Sequence, residues 1–158
     1  MCVRIELRPV QPEDLPAIYE YQLDPDANRM AVANPRDRAT FDNHWRDVLL
    51  DPTVTARVII VDGELAGNIG CFKLHGLDSV GYWIKKEWWG RGVATRALSL
   101  LLDEVQTRPL YARASSSNVA SVRVLEKCGF ELLGYEWAEA TERFPASEEA
   151  KFRLVGER

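Results

Sequence analysis

The sequence is poor in the residues that build disulfide frameworks and metal centres. It contains three cysteines (Cys2, Cys71 and Cys128) and two histidines among 158 residues. The cysteines are odd in number and have no C-x-x-C spacing, which fits neither a disulfide framework nor a thiolate metal site. We therefore expect no bound metal, a core position for Cys128 and an exposed thiol at Cys2.

The sequence also lacks a long apolar run and an excess of positive charge. No stretch approaches the roughly 18 continuous apolar residues of a membrane span, and the first ten residues have no basic segment followed by an apolar one. The 20 Lys and Arg against 24 Asp and Glu give a net charge of −4, which disfavours binding to nucleic-acid phosphates. We expect a cytoplasmic protein with neither a membrane nor a nucleic-acid partner.

What the sequence does contain is an ordinary globular composition, with 46% hydrophobic and 28% charged residues. A chain of 158 residues can bury one core without disulfides or metals. Residues 1–158 are therefore expected to form a single domain.

The periodicity of apolar residues predicts an α/β fold. Strand patterns occur at 3–10, 55–61, 65–72, 79–85, 110–114, 130–139 and 149–156. Helical spacing occurs at 13–23, 38–50, 93–106 and 119–128. We interpret Asp24-Pro25-Asp26 as the end of the first helix and 27–37 as a loop. The order predicts a mixed, mostly antiparallel central sheet of about seven strands flanked by about four helices.

One segment places a glycine turn between a strand and an amphipathic helix. The strand ends near Lys85, the turn is Gly90-Arg91-Gly92, and the helix begins at Val93. The first N–H groups of a helix lack partners and the helix dipole adds positive charge, so this turn favours a phosphate. Arg91 adds a charge and Thr95 a hydroxyl donor. A Gly-x-Gly pair also serves simply to turn the chain, so the turn alone is a weak signal.

Two segments taken together resemble a known family. GYWIKKEWWGRGVATRAL (81–98) followed by NVASVRVLEKCGF (118–130), with RPVQPEDLPAIYEY (8–21) near the start, is similar to the GNAT superfamily of acyl-CoA-dependent N-acyltransferases. Within it, the chain most resembles the ribosomal-protein N-terminal acetyltransferase-like subgroup, over nearly its whole length. The resemblance implies acetyl-CoA as co-substrate, an amine acceptor and strands that splay at the acyl-CoA site. The oligomeric state stays open between a monomer and a homodimer.

The resemblance also implies which residues contact acyl-CoA. The family's phosphate loop, Gln/Arg-x-x-Gly-x-Gly/Ala, matches residues 89–94, with Trp89 in place of Gln or Arg, so that one side-chain contact is lost while the backbone cradle remains. The splayed strand would pair its main chain with pantetheine, most closely at Ile84. The implied contacts are Tyr82, Trp83, Ile84, Trp89, Gly90, Arg91, Gly92, Val93, Ala94, Thr95, Asn118 and Ser121.

The catalytic residues implied by the resemblance are Asn118, which hydrogen-bonds the pantetheine arm, and Ser121, which points toward the thioester. Many relatives have a tyrosine acid seven residues after the asparagine, but Leu125 stands there in this sequence. We expect Ser121 to replace it, or else to bond only to the backbone near Asn118. The backbone N–H of Ile84 or a neighbour is the expected oxyanion donor.

The proton acceptor for the amine stays open. Relatives often have a glutamate where this sequence has Ser79, so we expect ordered water or a carboxylate such as Glu136 or Glu139. These glutamates belong to an acidic run that either attracts a cationic amine or is solvated surface. His44 and His75 are not expected to be catalytic.

The acceptor and the acyl group are not encoded in these motifs. The acceptor is a protein N-terminus or a small-molecule amine, and its selection is expected in loops 24–37 and 139–149. Phe41 and Trp45 either line an acceptor pocket or pack in the core. A domain that binds acyl-CoA without turnover is the alternative function, because the tyrosine and glutamate of relatives are absent.

Overall fold

Seven strands form one sheet in the computed structural model, which describes residues 3–156 and so leaves Cys2 outside. In chain order they are β1 (Ile5–Pro9), β2 (Thr55–Val61), β3 (Glu64–Leu74), β4 (Leu77–Ile84), β5 (Leu110–Ser115), β6 (Glu131–Ala138) and β7 (Ser147–Leu154). Their order across the sheet is β1-β2-β3-β4-β5-β7-β6. Only β4 and β5 pair in parallel among these strands, so the predicted mixed, mostly antiparallel sheet is confirmed.

Five α-helices accompany the strands. They are α1 (Leu15–Tyr21), α2 (Pro25–Ala31), α3 (Arg38–Leu50), α4 (Val93–Glu104) and α5 (Val119–Lys127), with short 3₁₀ turns at Pro12–Asp14 and Lys86–Trp88. The sequence predicted about four helices, and α4 ends two residues before the predicted Gln106. The predicted N-cap of α5 is confirmed, because Asn118 Oδ1 accepts a hydrogen bond from the Ser121 backbone N–H.

The additional helix is α2, and the prediction of a loop at 27–37 is wrong for its first residues. Asp24 ends the previous helical region, and its side chain accepts a hydrogen bond of 2.9 Å from the backbone N–H of Asp26. Pro25 occupies the first helical position, where its missing N–H costs nothing. The same Asp-Pro pair therefore separates two helices and starts the second one.

The sheet packs helices on both faces. On one face, α4 and α5 cover the larger core, and α4 buries residues at helical spacing: Val93, Ala97, Leu98, Leu101 and Leu102. On the other face, α1 and α3 cover a second core that contains Ile18, Phe41 and Trp45. Because side chains alternate along a strand, Tyr82 and Ile84 pack toward the first core and Trp83 toward the second.

Strand β4 is held closely to β3 and only loosely to β5. Eight residue pairs join β3 and β4, whereas β4 and β5 share one, between Ser79 and Tyr111. Beyond Ser79 the two parallel strands separate, which confirms the predicted splay. Since β4 leads into α4 and β5 leads into α5, the N-termini of both helices lie at this opening.

The close approach of β3 to β4 requires a glycine at position 67. A Cβ atom on Gly67 would overlap the backbone carbonyl oxygen of Trp83, whereas a Cβ on Gly81 would lie 3.2 Å from the ring atoms of Phe72. A ring can shift by a few tenths of an ångström, but a paired backbone carbonyl cannot shift without moving its strand.

We therefore expect Gly67→Ala to lower the free energy of unfolding by about 1–3 kcal/mol. Gly81→Ala is the matched control and should cost less than about 1 kcal/mol. Urea unfolding of both variants measures the difference. Equal losses of stability in the two variants would contradict the assignment of close backbone packing to Gly67.

Candidate active site

A groove of about 530 Å³ lies where β4 and β5 separate. The end of β4, the turn that follows it, the first turn of α4, α5 and one side of α2 form its walls. The predicted acyl-CoA residues that line it are Tyr82, Trp83, Ile84, Trp89, Gly90, Gly92, Val93, Ala94, Thr95, Asn118 and Ser121. Arg91 does not line it; its guanidinium lies over the ring of Trp88, 5.1 Å from the ring centroid.

The groove also contains residues that the sequence analysis missed: Ala27, Met30, Ala31, Trp88, Ala120, Arg123, Val124 and Lys127. The residues from α2 were missed because that helix was interpreted as a loop. Arg123 and Lys127 carry a usable signal, since basic residues four apart share one face of a helix. No carboxylate side chain lines this groove among the residues that the structure describes.

One end of the groove is built to receive an anion. Gly90 and Gly92 have φ values of 72° and 73°, a conformation that favours glycine, and a Cβ at either position would meet open space. Gly92 is the N-cap of α4, and its carbonyl accepts the helical hydrogen bond of Arg96 at 3.1 Å. The N–H groups of the first turn therefore have no helical partner, and Arg123 and Lys127 add positive charge.

The β4 wall presents main-chain groups to the opening. The N–H of Lys85 donates to Ala66 O in β3 at 2.8 Å. Because successive residues of a strand direct their N–H and C=O groups to opposite neighbours, those of Tyr82 and Ile84 point away from β3. The indole N–H of Trp89 donates to Ile84 O at 2.9 Å. Trp89 thus has a structural contact that the sequence did not predict, and it ties the glycine turn to the strand.

Tyr82 and Ser121 form a pair of hydroxyl groups on the groove wall. The Tyr82 hydroxyl lies 2.7 Å from Ser121 Oγ. Burial raises the pKa of Tyr82 to about 12, although the hydrogen bond with Ser121 acts in the opposite direction. The phenol therefore stays protonated at neutral pH and can donate a proton. The sequence analysis assigned Tyr82 only a main-chain contact, although alternation along β4 already places its ring on the side of α5.

The glutamates considered as bases lie outside the groove. Glu136 is within 3.0 Å of Lys151 Nζ and 3.7 Å of Arg113, and these two cations, Lys151 first, hold the pKa of its carboxyl below the usual value. Glu149 also pairs with Arg113, at 3.3 Å. Part of the acidic run is therefore neutralised on the surface of β6 and β7. Glu139 does not line the groove either.

Two further predictions concern residues in the cores. Phe41 and Trp45 are 1% and 7% exposed and pack with Ile18 and Tyr21, so both are core residues. Cys128 is buried as predicted, and its thiol donates to Thr95 O at 3.5 Å.

The two loops expected to select the acceptor contact each other. The backbone N–H of Asn34 donates to Arg143 O at 2.6 Å, and Asn34 Nδ2 donates to Glu142 O at 3.1 Å. Half-buried His44 lies beside these loops. Burial, and then the charges of Arg36 and Arg143, lower its pKa to about 4, while Asp47 opposes the shift.

Comparison with known proteins assigns the family. Residues 4–131 match the family model described as the Acetyltransferase (GNAT) domain. The chain belongs to the GNAT family. The prediction from motifs 81–98 and 118–130 is therefore confirmed.

The GNAT relatives include a curated protein from Bacillus subtilis named a putative ribosomal N-acetyltransferase, YdaF. It is 33% identical over 103 residues, which cover 59% of this chain and 55% of the relative. The chain thus matches about half the length of this relative. The name agrees with the ribosomal-protein acetyltransferase-like subgroup predicted from the sequence.

Solved structures share the GNAT fold over nearly the whole chain. A spermidine N-acetyltransferase from Vibrio cholerae in complex with CoA and spermine superposes with a TM-score of 0.82, at 17% identity, covering 96% of this chain and 95% of that one. RimJ from Mycobacterium smegmatis in complex with CoA-disulfide gives 0.78, at 23% identity, with 97% and 82% coverage.

Two absences within residues 3–156 of this GNAT domain concern membranes and metals. None of the helices in this range is both long and apolar enough to span a membrane. Over the same range, no group of three or more His, Cys, Asp or Glu side chains is placed to hold a metal ion.

The lowered pKa of His44 predicts how stability depends on pH. The native state disfavours the imidazolium, so the unfolded state binds more protons between the ordinary pKa of 6.5 and about 4. The free energy of unfolding should therefore fall as pH decreases through this window.

Substituting Gln for His44 should flatten this dependence. Urea unfolding of this variant and of the wild type at several pH values measures the effect. A wild-type pH profile in His44→Gln would rule out the assignment.

Proposed function

We propose that this protein transfers an acetyl group from acetyl-CoA to a primary amine. The observation that carries the proposal is the opening between β4 and β5, which has the phosphate-type turn of α4 at one end and the Tyr82–Ser121 hydroxyl pair on its wall. Membership of the GNAT family and the CoA complexes of the Vibrio and Mycobacterium proteins support the same conclusion.

The residues of the groove fit the parts of an acyl-CoA. The N–H groups that follow Gly92, together with Arg123 and Lys127, would hold the phosphates. The main chain of Tyr82 would pair with pantetheine in the manner of an added strand, while Ile84, whose carbonyl already accepts from Trp89, would offer only its N–H. Asn118 uses Oδ1 to cap α5, which leaves Nδ2 to donate to a carbonyl of the pantetheine arm. Trp83 and Trp89 complete the strand side of the groove, and Val93, Ala94 and Thr95 form the helix side.

The chain's residues would supply two functions to the reaction: stabilisation of the developing oxyanion and protonation of the departing sulfur. Acetyl-CoA supplies an activated thioester carbonyl. A backbone N–H of β4, that of Ile84, would donate to the oxygen of this carbonyl as negative charge develops there. The amine nitrogen forms a bond to the carbonyl carbon, the carbon–sulfur bond breaks, and the sulfur leaves with its electron pair. Ser121 would then protonate the sulfur and regain a proton from Tyr82, and Tyr82 would regain its own proton from the water that accepts the proton of the amine.

Removal of a proton from the amine is assigned to water. The described lining of the groove contains no carboxylate, and Glu136 is paired with Lys151 and Arg113. A water chain that leads to bulk solvent can accept this proton, because the groove is open at its surface.

The second candidate is an acyl-CoA sensor without turnover. Two observations favour it. Leu125, a core residue, stands at the position of the family's tyrosine acid, and the described residues that line the groove include no carboxylate. Calorimetric binding of CoA, run beside release of free CoA thiol from acetyl-CoA with a panel of amines, separates the two. Amine-dependent release supports the transferase, binding without release supports the sensor, and a failure to bind CoA overturns both.

Removing the basic residues of α5 should weaken CoA binding. We expect Arg123→Gln and Lys127→Gln each to raise the Kd of CoA about tenfold, because each removes a charged donor to a phosphate. Arg46→Gln is the control, since Arg46 is exposed on α3 and is absent from the groove lining. Calorimetry gives the three values. An unchanged Kd in both α5 variants would place the phosphates elsewhere.

Removing either hydroxyl of the Tyr82–Ser121 pair should lower kcat. We expect a fall of about 100-fold for Ser121→Ala and for Tyr82→Phe, with CoA affinity close to that of the wild type. Because the two groups act in series, the double variant should lose little more than either single variant. Ser121→Thr keeps a hydroxyl and should recover part of the rate. A Tyr82→Phe variant with normal kcat would remove Tyr82 from the reaction.

A further inference from the structure

Two arginines and a tryptophan form a cluster on the face of β4 opposite Tyr82. The Arg143 guanidinium lies 5.6 Å from the centroid of the Trp83 ring and donates to Asn34 O. The main chain of Arg36 is held by Gln22, which accepts from the Arg36 N–H at 2.9 Å and donates to Arg36 O at 3.0 Å, and the charge of Arg36 acts on Arg143. We call Arg36, Trp83 and Arg143 the arginine cluster.

The arginine cluster has hydrogen-bond donors without acceptors. Arg143 Nε and Trp83 Nε1 are both buried and have no hydrogen-bond partner in the structure. Within residues 3–156, no carboxylate forms an ion pair with Arg36 or Arg143. Buried donors and charges are normally paired, so the cluster lacks an anionic acceptor.

The electrostatic effects on the cluster agree with this reading. Burial lowers the pKa of Arg36 and, together with the charge of Arg36, lowers the pKa of Arg143 to about 10. The same two charges contribute to the neutral state of His44. A bound carboxylate would offset this concentration of positive charge, and a polyamine would add to it.

The cluster lies where an acceptor would approach the thioester. Trp83 stands between Tyr82 and Ile84 in β4, and its ring packs on the opposite side of the sheet from theirs. Trp83 is also among the residues that line the groove, so the cluster adjoins it. An amine that enters from the Trp83 side would therefore reach the groove while the rest of the molecule remains beside Arg143.

We propose that the arginine cluster binds a carboxylate of the acceptor, so that the acceptor is an amine with a negative charge close to its amino group. Free α-amino acids and peptides with acidic residues next to the N-terminus both carry a carboxylate close to an amino group. The planar guanidinium of Arg143 suits a carboxylate, with the Trp83 indole N–H as a second donor. This proposal rests on the acetyl transfer proposed above and names its substrate class.

The experiment compares acceptors that differ only in charge. One arm uses α-amino acids and the corresponding amino acid amides. The other uses a short peptide amide with Asp and Glu at its second and third positions, and the same peptide with Asn and Gln. Spermidine serves as the cationic amine. Thiol release from acetyl-CoA gives kcat/KM for each acceptor. The ratio of kcat/KM for the acidic acceptor to that for its neutral partner is then compared between the two arms, and the arm with the larger ratio identifies the source of the carboxylate.

We expect the acidic acceptor to exceed its neutral partner about 10- to 100-fold in kcat/KM, the range expected for a hydrogen-bonded charge. Arg143→Gln should reduce this ratio to about one while leaving the KM for acetyl-CoA unchanged. Arg143→Lys should retain part of the preference, and Arg46→Gln, which removes an exposed charge of the same sign, should retain all of it. Equal rates with acid and amide, or a preference for spermidine, would overturn the proposal.

A binding measurement separates failure of this inference from failure of the proposed transferase. Calorimetry of the same acids and amides with the protein saturated with CoA needs no turnover. Binding of the acid alone, lost in Arg143→Gln, supports the carboxylate site even if no amine is acetylated. If neither the binding nor the kinetic measurement distinguishes acid from amide, the site is ruled out, whatever the transferase activity.

Discussion

The separation of β4 from β5 is the constraint on which the site depends. One bridge pair, Ser79 and Tyr111, joins the strands, after which each strand continues to its own helix. The opening exposes main-chain groups of β4 and brings two helix N-termini to the same place. The close packing of Gly67 against Trp83 holds β4 to β3, so the strand keeps its position although one of its edges is unpaired.

The two sides of β4 differ in what they present. Tyr82 reaches Ser121 on the side of α5, beside the basic residues Arg123 and Lys127. Trp83 meets Arg143 on the other side. Because side chains alternate along the strand, Tyr82 of the hydroxyl pair and Trp83 of the arginine cluster are neighbours in the chain but lie on opposite faces of the sheet. Under the proposed function, β4 would contact both substrates.

Features set by local sequence could be predicted, and features set by distant contacts could not. Alternation located the strands, and Asn118 and Gly92 marked the starts of α5 and α4. The motifs also named many of the residues that line the groove, but they included Arg91, which does not line it, and omitted the residues of α2 and the basic residues of α5. Helix α2 was missed because Asp24-Pro25 is equally a stop and a start signal. The contacts of Tyr82 with Ser121 and of Arg143 with Trp83 join residues remote in sequence, and no periodicity encodes such pairs.

The hydrogen bond from the Trp89 indole to Ile84 O has a consequence for self-association. A strand edge with free carbonyl and N–H groups is a template onto which a strand of another molecule can add. At the end of β4 the indole N–H of Trp89 already donates to the carbonyl of Ile84. An added strand therefore cannot form its hydrogen bond at this position. Trp89 thereby removes one main-chain acceptor from the part of β4 that β5 leaves unpaired.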